Sequence, residues 1–401
     1  MAEWSQMPED LLGLIARRLD AQFDVLRFRS VCSSWRSAAA PSPSPSRRGR
    51  FPILPNDGIS DAAWGFHLSK RTIFLLGVPR SRSRSPDQTA PGGWLLKVKE
   101  DVPRRMNLLN PLSRCQFTPL PEDFPRVLDL LNLQVLELGH EYVLQYMSYR
   151  PGGNDGHLYM EKVVFLCLDN ENDFALLTIH VSGKLAMFKS GEKRWSIIQD
   201  MPSPYDDVIL FKGEFYAVDG TGRTVVVGLD LGVILIAESN FGGDKKFLVE
   251  SVGELLLVDM YLSLDAENDH DGVVAELAED FDYLLRERTV RFKVYRLERE
   301  EKAWNEVKDL GDRVLFLGDD CTFSASAADL RACKGNCIFF ADNWEVEGAS
   351  KSTEIGVYDM DSGIIGPLED YAGYSELFWP PPDWIASRTS EVQNRLEAVA
   401  V

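Results

Sequence analysis

Residues 7–35 read MPEDLLGLIARRLDAQFDVLRFRSVCSSW, and the spacing of the apolar residues in this stretch predicts two or three short amphipathic helices. Pro8 suits the first position of a helix, where its missing N–H needs no partner. Glu9 and Asp10 complement the positive end of the same helix. The apolar residues of its predicted face follow at three- and four-residue steps: Leu11, Leu12, Ile15 and Leu19.

A second helix is predicted to begin after Asp24, whose side chain can cap the first turn. Its apolar face consists of Val25, Phe28, Cys32 and Trp35. A unit of about forty residues is too small to bury this apolar load by itself, because small units bury a low fraction of their surface. The stretch therefore predicts a module that docks on a partner surface.

The same stretch resembles the F-box, the motif by which substrate receptors of SCF-type cullin–RING ubiquitin ligases bind a Skp-family adaptor. The matching residues are Pro8, Asp10, Leu11, Leu12, Ile15, Leu19, Leu26, Phe28, Arg29, Val31, Cys32, Trp35 and Arg36. Met7 replaces the usual Leu of the opening Leu-Pro, and residues 19–21 replace a second Leu-Pro. Neither departure breaks the apolar face. The alternative is a helical hairpin that packs on the C-terminal domain of its own chain.

The F-box resemblance implies a set of residues that contact the adaptor. They are Pro8, Leu11, Leu12, Ile15, Leu26, Val31 and Trp35, of which Trp35 also fits the core of the module. The partners that it implies are the Skp-family adaptor, the cullin and RING subunits bound through that adaptor, and a target protein.

Charge and apolar content restrict the other partners. The chain has 43 Lys and Arg, 62 Asp and Glu, and a net charge of −19. Residues 1–105 contain 17 of the basic and 10 of the acidic residues, so the rest of the chain contains 26 basic and 52 acidic residues. Such an acidic body argues against nucleic acid and suits a basic protein partner. No apolar run reaches the eighteen or so residues of a membrane helix. The six cysteines are scattered, which predicts reduced thiols. The sequence starts without an apolar leader, and we therefore predict a location in the nucleus and/or cytoplasm.

Composition divides the chain into four segments. We predict an F-box at 1–40, a Pro/Ser/Arg-rich linker at 41–56, a β-rich domain at 57–385 and a polar tail at 386–401. The arginines of the linker, at 47, 48 and 50, fit a nuclear-import patch, but a solvated basic linker explains them better.

The β-rich domain consists of apolar runs of four to eight residues separated by Gly, Asp, Asn and Pro. This is the pattern of strands and turns. Helical periodicity is predicted within the domain at 127–138 and 273–285.

A loose repeat, in which a strand ending in an aromatic residue is followed by a charged turn and a second apolar strand, indicates the architecture. It occurs at 183–202, 291–310 and 353–368. Adjacent strands of a propeller blade have this pattern, and aromatic residues such as Trp195 and Trp304 then lie between blades. We therefore predict an all-β fold, a β-propeller of six or seven blades, with a β-sandwich or a pair of sandwiches as the alternative.

A second resemblance supports the propeller. The elements that carry it are KGNCIFFAD at 334–342, GVYD at 356–359, LFWPPPDWI at 377–385 and NLLNPLS at 107–113. They are similar to the signature of the SKIP/KIB type of plant F-box proteins, whose C-terminal domain is kelch-like. The resemblance implies this architecture and says nothing about the target.

Residue patterns for catalysis, cofactors and metals are missing from the sequence. It contains no G-x-S-x-G, H-E-x-x-H, P-loop or complete G-x-G-x-x-G. The loop at 265–276 matches the acidic positions of a calcium loop, but His270 occupies the glycine position, which favours a solvated loop. We predict a non-enzymatic substrate receptor without cofactor or metal. An adaptor-bound scaffold and a propeller-based enzyme are the alternatives.

The stretch WPPPDW at 379–384 is predicted to be an extended closing segment. Three prolines remove main-chain donors, so the segment cannot lie in a central strand. Its apolar flanks, Leu377, Phe378 and Ile385, predict that both tryptophans pack on the domain and that the segment is not an exposed polyproline ligand.

Overall fold

A computed structural model describes residues 7–16, 18–19, 25, 27–29, 31–39, 50–51, 66–78, 92–102, 105–117, 124, 133–146, 160–168, 173–266, 285–342 and 354–385. Leu26, nearly all of the linker, the tail and the helix predicted at 273–285, apart from its last residue, lie outside these residues. Most of the calcium-like loop also lies outside them.

The N-terminal module is helical, as its periodicity predicts. Helix α1 spans Glu9–Ala16 and helix α2 spans Ser33–Ala38, and the two are in contact. Residues 25 and 27–29 between them are also helical. Within the described part of the chain, no helix has the length and apolarity needed to cross a membrane.

The first and largest sheet has nine strands. They are β1 (Arg50–Phe51), β2 (Phe66–Gly77), β3 (Trp94–Val102), β4 (Arg105–Leu109), β5 (Gln134–Tyr146), β6 (Met160–Cys167), β7 (Phe174–Ile179), β8 (Leu185–Lys189) and β9 (Ser196–Ile197). Their order is β4-β3-β2-β5-β6-β7-β8-β9, with β1 beside β2. All neighbours in this sheet are antiparallel.

Two four-stranded antiparallel sheets follow in chain order. One contains β10 (Tyr205–Phe211), β11 (Glu214–Asp219), β12 (Thr224–Val227) and β13 (Val233–Ala237). The other contains β14 (Lys245–Ser251), β15 (Glu254–Ala266), β16 (Leu285–Glu298) and β17 (Ala303–Val307).

The last sheet has five strands and departs from simple up-and-down order. It contains β18 (Arg313–Leu317), β19 (Thr322–Ser326), β20 (Cys337–Asp342), β21 (Glu354–Asp359) and β22 (Ile364–Pro367), in the order β19-β18-β20-β21-β22. Helix α3 (Ala327–Leu330) joins β19 to β20, which lies parallel to β18. Because β20 pairs with one side of β18 and β19 with the other, β19 is the edge strand of this sheet and lies next to strands β5 and β14 of other sheets.

The sheets pack face to face in a closed ring. Strands β7 and β8 pack on β10–β12, and the β10–β13 sheet packs on the next sheet around Trp304, whose Nε1 donates to Gly222 O at 3.2 Å. Phe292 and Phe340, with ring centroids 4.9 Å apart, join that sheet to the last one. The last sheet packs back on β2 and β3 around Leu95. A closed ring of small antiparallel sheets is a β-propeller, which confirms the predicted fold.

The described strands form five blade-like units, because the nine-stranded sheet supplies two of them: four units have four strands each, with β1 added beside β2, and the last unit has five strands. Five inner strands, β5, β6, β10, β14 and β19, surround the central axis. The sequence predicts six or seven blades. Since this count covers only the described residues, the blade number of the whole chain stays a prediction.

The helix predicted at 127–138 is wrong over the part that the structure describes. Strand β5 begins at Gln134 and pairs with β2 over the whole length of β2, from Gly77 to Phe66. The helical period of these residues is outweighed by their pairing with β2, because burial in the folded domain decides between helix and strand in short apolar runs.

The C-terminal segment packs on the propeller, as predicted. Leu377, Phe378 and Ile385 are buried. Trp379 stacks on Phe117 with centroids 4.4 Å apart, and both Trp379 and Trp384 pack on the cluster of apolar side chains around β2 and β3. The segment is therefore part of the domain and not a free ligand.

Candidate functional site

The helical module has a small core and an apolar outer surface. Leu12 is fully buried beside Phe28 and Ala39, and the rings of Phe28 and Trp35 are 4.5 Å apart. Four large apolar side chains point outward, and we name them the docking face: Leu11, Leu14, Ile15 and Val31, which are 46%, 58%, 38% and 54% exposed. Leu14 and Ile15 lie three and four residues after Leu11 on α1, so these three share one side of the helix, and an exposed apolar group of this kind is typical of a protein–protein contact.

Three arginines fix the shape and position of the module. Arg29 Nη1 donates to the main-chain oxygens of Ala39 and, at 3.1 Å, of Arg36. Arg36 Nε donates back to Arg29 O at 3.3 Å. Arg27 Nη2 donates to Leu133 O at 3.3 Å and so connects the module with the propeller. Arg29 and Arg36 of the motif therefore act inside the module in this structure.

The structure places the seven residues predicted to contact an adaptor in different surroundings. Pro8, Leu11, Ile15 and Val31 are exposed. Leu12 and Trp35 pack inside the module, and Leu26 lies outside the described residues. Their contact with an adaptor stays a prediction. Leu14 of the docking face is missed by the sequence analysis, although its position three residues after Leu11 on α1 was a usable signal.

The inner strands of the propeller surround a central cavity of about 370 Å³. Polar and apolar groups contribute about equally to its wall. Its acidic, basic and histidine side chains come from β5, β6, β14, β18 and the turn before β19: His140, Glu141, Lys162, Glu250, Arg313 and Asp320. A cavity of this size can take several side-chain groups of a bound molecule.

A buried ion network supports one side of this cavity. Arg71 Nη1 lies 3.1 Å from Glu141 Oε1 and 3.5 Å from Asp320 Oδ2. Lys97 Nζ donates to both oxygens of Glu141 at 3.1 Å. Arg114 donates to both oxygens of Asp320, at 2.8 and 2.6 Å. Two carboxylates thus hold three cations between β2, β3, β5 and the turn before β19.

Electrostatics keep Asp320 ionised in this network. Its burial favours the neutral acid, but the hydrogen bond from Arg114 and the charges of Arg114, Lys97 and Arg71 together lower the pKa of Asp320 below its ordinary value. The Asp320 carboxylate in this part of the cavity wall is therefore ionised, and its charge is balanced by neighbouring cations of the same chain.

The surroundings of two other side chains in the cavity wall, Lys162 and Cys321, determine their protonation. Lys162 Nζ lies 2.5 Å from Asp207 Oδ1. Burial by itself would lower the pKa of Lys162, but the charge and hydrogen bond of Asp207 raise it above its ordinary value, so the lysine stays charged. Burial raises the pKa of Cys321 to about 12, so this thiol stays protonated near neutral pH.

Replacing Glu141 by glutamine is expected to destabilise the propeller by about 3–5 kcal/mol, because it leaves Lys97 and Arg71 buried without their shared carboxylate. Urea unfolding of the purified chain measures the effect. Glu306→Gln, at an exposed position on β17, is the matched control and is expected to unfold at the wild-type urea concentration. Equal midpoints for the two variants would show that the network contributes nothing.

Metal-ligating side chains do not cluster in the part of the chain that the structure describes: no group of three or more His, Cys, Asp or Glu could hold an ion there. Cys333 and Cys337, four residues apart, belong to the apolar cluster around β18 and β20 and are not among the residues that line the cavity.

Comparison with known proteins matches both parts of the chain to families. Residues 4–44 match the F-box domain, and residues 65–359 match the KIB1-4 beta-propeller. The second match alone covers more than half of the chain.

Full-length relatives come from Arabidopsis thaliana. F-box protein SKIP23 is 51% identical over 399 residues, with 96% of each chain covered. F-box protein At2g17036 is 38% identical over 409 residues, with 98% of this chain and 97% of the relative covered. F-box protein At2g26160 is 31% identical over 358 residues, with 85% of this chain and 96% of the relative covered.

Proposed function

The chain belongs to the plant F-box proteins that carry a C-terminal KIB1-4 beta-propeller, and we propose that it is a substrate-recognition subunit of an SCF-type cullin–RING ubiquitin ligase. The observation that carries this proposal is the pairing of two different surfaces in one chain. The F-box presents the docking face, and the propeller encloses a cavity large enough to receive part of a second protein.

In this proposal the docking face binds a Skp-family adaptor, which brings the cullin and RING subunits. The exposed leucines and isoleucine of α1 would be buried by that contact, and apolar burial of this kind supplies most of the free energy of protein association. The small core beneath the face, around Leu12 and Phe28, keeps these side chains in position.

The propeller then holds the target protein. A rigid ring of sheets fixes the positions of its loops around the central cavity, so a bound protein is held at a defined place on the propeller. We propose that this chain performs no catalytic step and that ubiquitin transfer takes place on other subunits. The proposal includes a location in the nucleus and/or cytoplasm.

Reconstitution tests the proposal. The full chain is combined with a Skp-family adaptor, a cullin, a RING subunit, ubiquitin and its activating and conjugating enzymes, and proteins found by proximity labelling are supplied as targets. Ubiquitin transfer to a protein that the propeller binds is the expected result.

Two results would contradict the proposal. Adaptor binding without recruitment of the cullin would identify a scaffold, and turnover of a small molecule by the isolated chain would identify an enzyme. As a control, omission of the chain from the complete mixture is expected to stop transfer to that target.

A further inference from the structure

Arg313 is an unusual cation in the wall of the central cavity. It is the first residue of β18, and its Nη2 donates to Ser324 Oγ at 2.6 Å. Its Nε is buried and has no hydrogen-bond acceptor among the described residues. No carboxylate of the described chain lies within ion-pair distance of its guanidinium. Arg313 therefore places at the cavity wall a charge that no carboxylate of the described chain balances.

The other cations around the cavity already have carboxylate partners. Lys162 is matched by Asp207, and the two carboxylates of the buried network hold Arg71, Lys97 and Arg114. Arg313 is therefore the cavity cation whose charge the described residues leave unmatched. The remaining N–H groups of its two Nη atoms lie in one plane and suit an oxyanion with two oxygens.

Ser324 adds a second donor at the same place. Its Oγ accepts the hydrogen bond from Arg313, which leaves its own O–H proton to donate to a bound group. The two side chains lie on the neighbouring strands β18 and β19, and both line the cavity. Two paired strands thus place the guanidinium of Arg313 and the hydroxyl of Ser324 side by side in the cavity wall.

We propose that the central cavity binds an oxyanion of the target protein, a carboxylate or a phosphoryl group, through Arg313 and Ser324. This inference rests on the proposed function and specifies the chemistry of the target segment. The group would face the Nη atoms of Arg313, because Nε is enclosed by protein atoms. The cavity volume of about 370 Å³ is sufficient for an acidic side chain together with its flanking residues.

Glu250 refines the expected segment. It is exposed on β14, lines the same cavity, and has no ion pair with any described cation. Strand β14 lies beside β19, since Thr322 Oγ1 donates to Leu248 O at 2.5 Å. A segment with a basic residue close to its acidic group would therefore match both Arg313 and Glu250. This also agrees with the net charge of −19, which repels a wholly acidic partner at long range.

Peptide selection tests the proposal while the target protein is still unidentified. A random peptide library displayed on phage is selected on the full chain bound to its adaptor, and in parallel on Arg313→Gln and Arg299→Gln. Arg299 is an exposed control on the turn after β16, where it pairs with Glu214. We expect peptides with an Asp or Glu at a fixed position from wild type and from Arg299→Gln, and loss of that consensus on Arg313→Gln.

Binding measurements then identify the oxyanion. The affinity of a selected peptide is expected to fall by about 10-fold or more on Arg313→Gln, as for loss of a charge-assisted hydrogen bond. Arg313→Lys keeps the charge without the fork and is expected to retain part of the affinity. Versions of the peptide with Gln, with phosphoserine and with an amidated C-terminus distinguish a side-chain carboxylate, a phosphoryl group and a chain terminus.

The proposal would be overturned by a selection without an acidic consensus together with no Arg313-dependent binding of phosphoserine peptides, or by equal affinity of wild type and Arg313→Gln for the selected peptide. Thermal unfolding and copurification with the adaptor are measured for every variant, so a folding defect is recognised directly. A wild-type chain that binds its adaptor but selects no acidic peptide would refute this inference alone, whereas a wild-type chain that binds no adaptor would refute the proposed function.

Discussion

Replacing Leu11 and Ile15 together by aspartate is expected to abolish adaptor binding, with a loss of affinity of at least about 100-fold. Both side chains are exposed on α1, so the substitution leaves the core of the module unchanged. At a closed apolar contact, however, it would bury two carboxylates without partners. Copurification with a Skp-family adaptor, followed by a titration of the purified proteins, measures the effect.

The matched control is Val181→Asp, which places the same charge on an apolar residue of the propeller that is 56% exposed. This variant is expected to bind the adaptor like wild type. Deletion of residues 1–40 should also abolish binding while far-UV circular dichroism still shows a β-rich fold. Adaptor affinity that survives the double substitution would exclude the docking face as the contact.

Periodicity predicts the helices of this module but cannot decide which leucine faces inward. Leu11 and Leu12 are neighbours on α1, and both fit an apolar stripe of helical period. The second helical part decides between them, because Phe28 and Trp35 cover Leu12 and leave Leu11 exposed. A sequence without a partner helix in view contains no information on that choice.

The propeller itself follows from short apolar runs and turn residues, and Trp304 lies between two sheets as the repeat predicts. The crossover through α3, which makes β18 and β20 parallel, was not predicted. Local patterns describe each strand, whereas the order of strands depends on contacts between distant segments.

The cavity chemistry depends still more on distant contacts. Arg71 and Glu141 are 70 residues apart, and Arg114 and Asp320 are 206 residues apart. Each of these charges reads as an ordinary surface residue in the sequence, because most charged side chains are exposed. Only the closed ring shows that they are buried together and that Arg313 has no such partner among the described residues.

Truncation of the chain after Leu377 is expected to give an aggregating protein, whereas truncation after Ile385 should change little. The first truncation removes Trp379 and Ile385, which cover the apolar surface of β2 and β3, and Phe378, which packs against Phe339 of β20. A propeller with an exposed apolar face of this kind has a direct route to association. Solubility and thermal unfolding of the two truncated chains measure the difference.

Within the segment, Trp384→Ala is expected to lower the free energy of unfolding by about 3–5 kcal/mol, the range for truncation of a large aromatic side chain in a core. Trp384 packs on the cluster that contains Trp94, which is fully buried. Asp383→Ala changes the exposed neighbouring residue and is the matched control, with a midpoint of urea unfolding close to that of wild type. If the Leu377 truncation were as stable as the full chain, the segment would be a surface ligand, and the propeller would have to close through its strands alone.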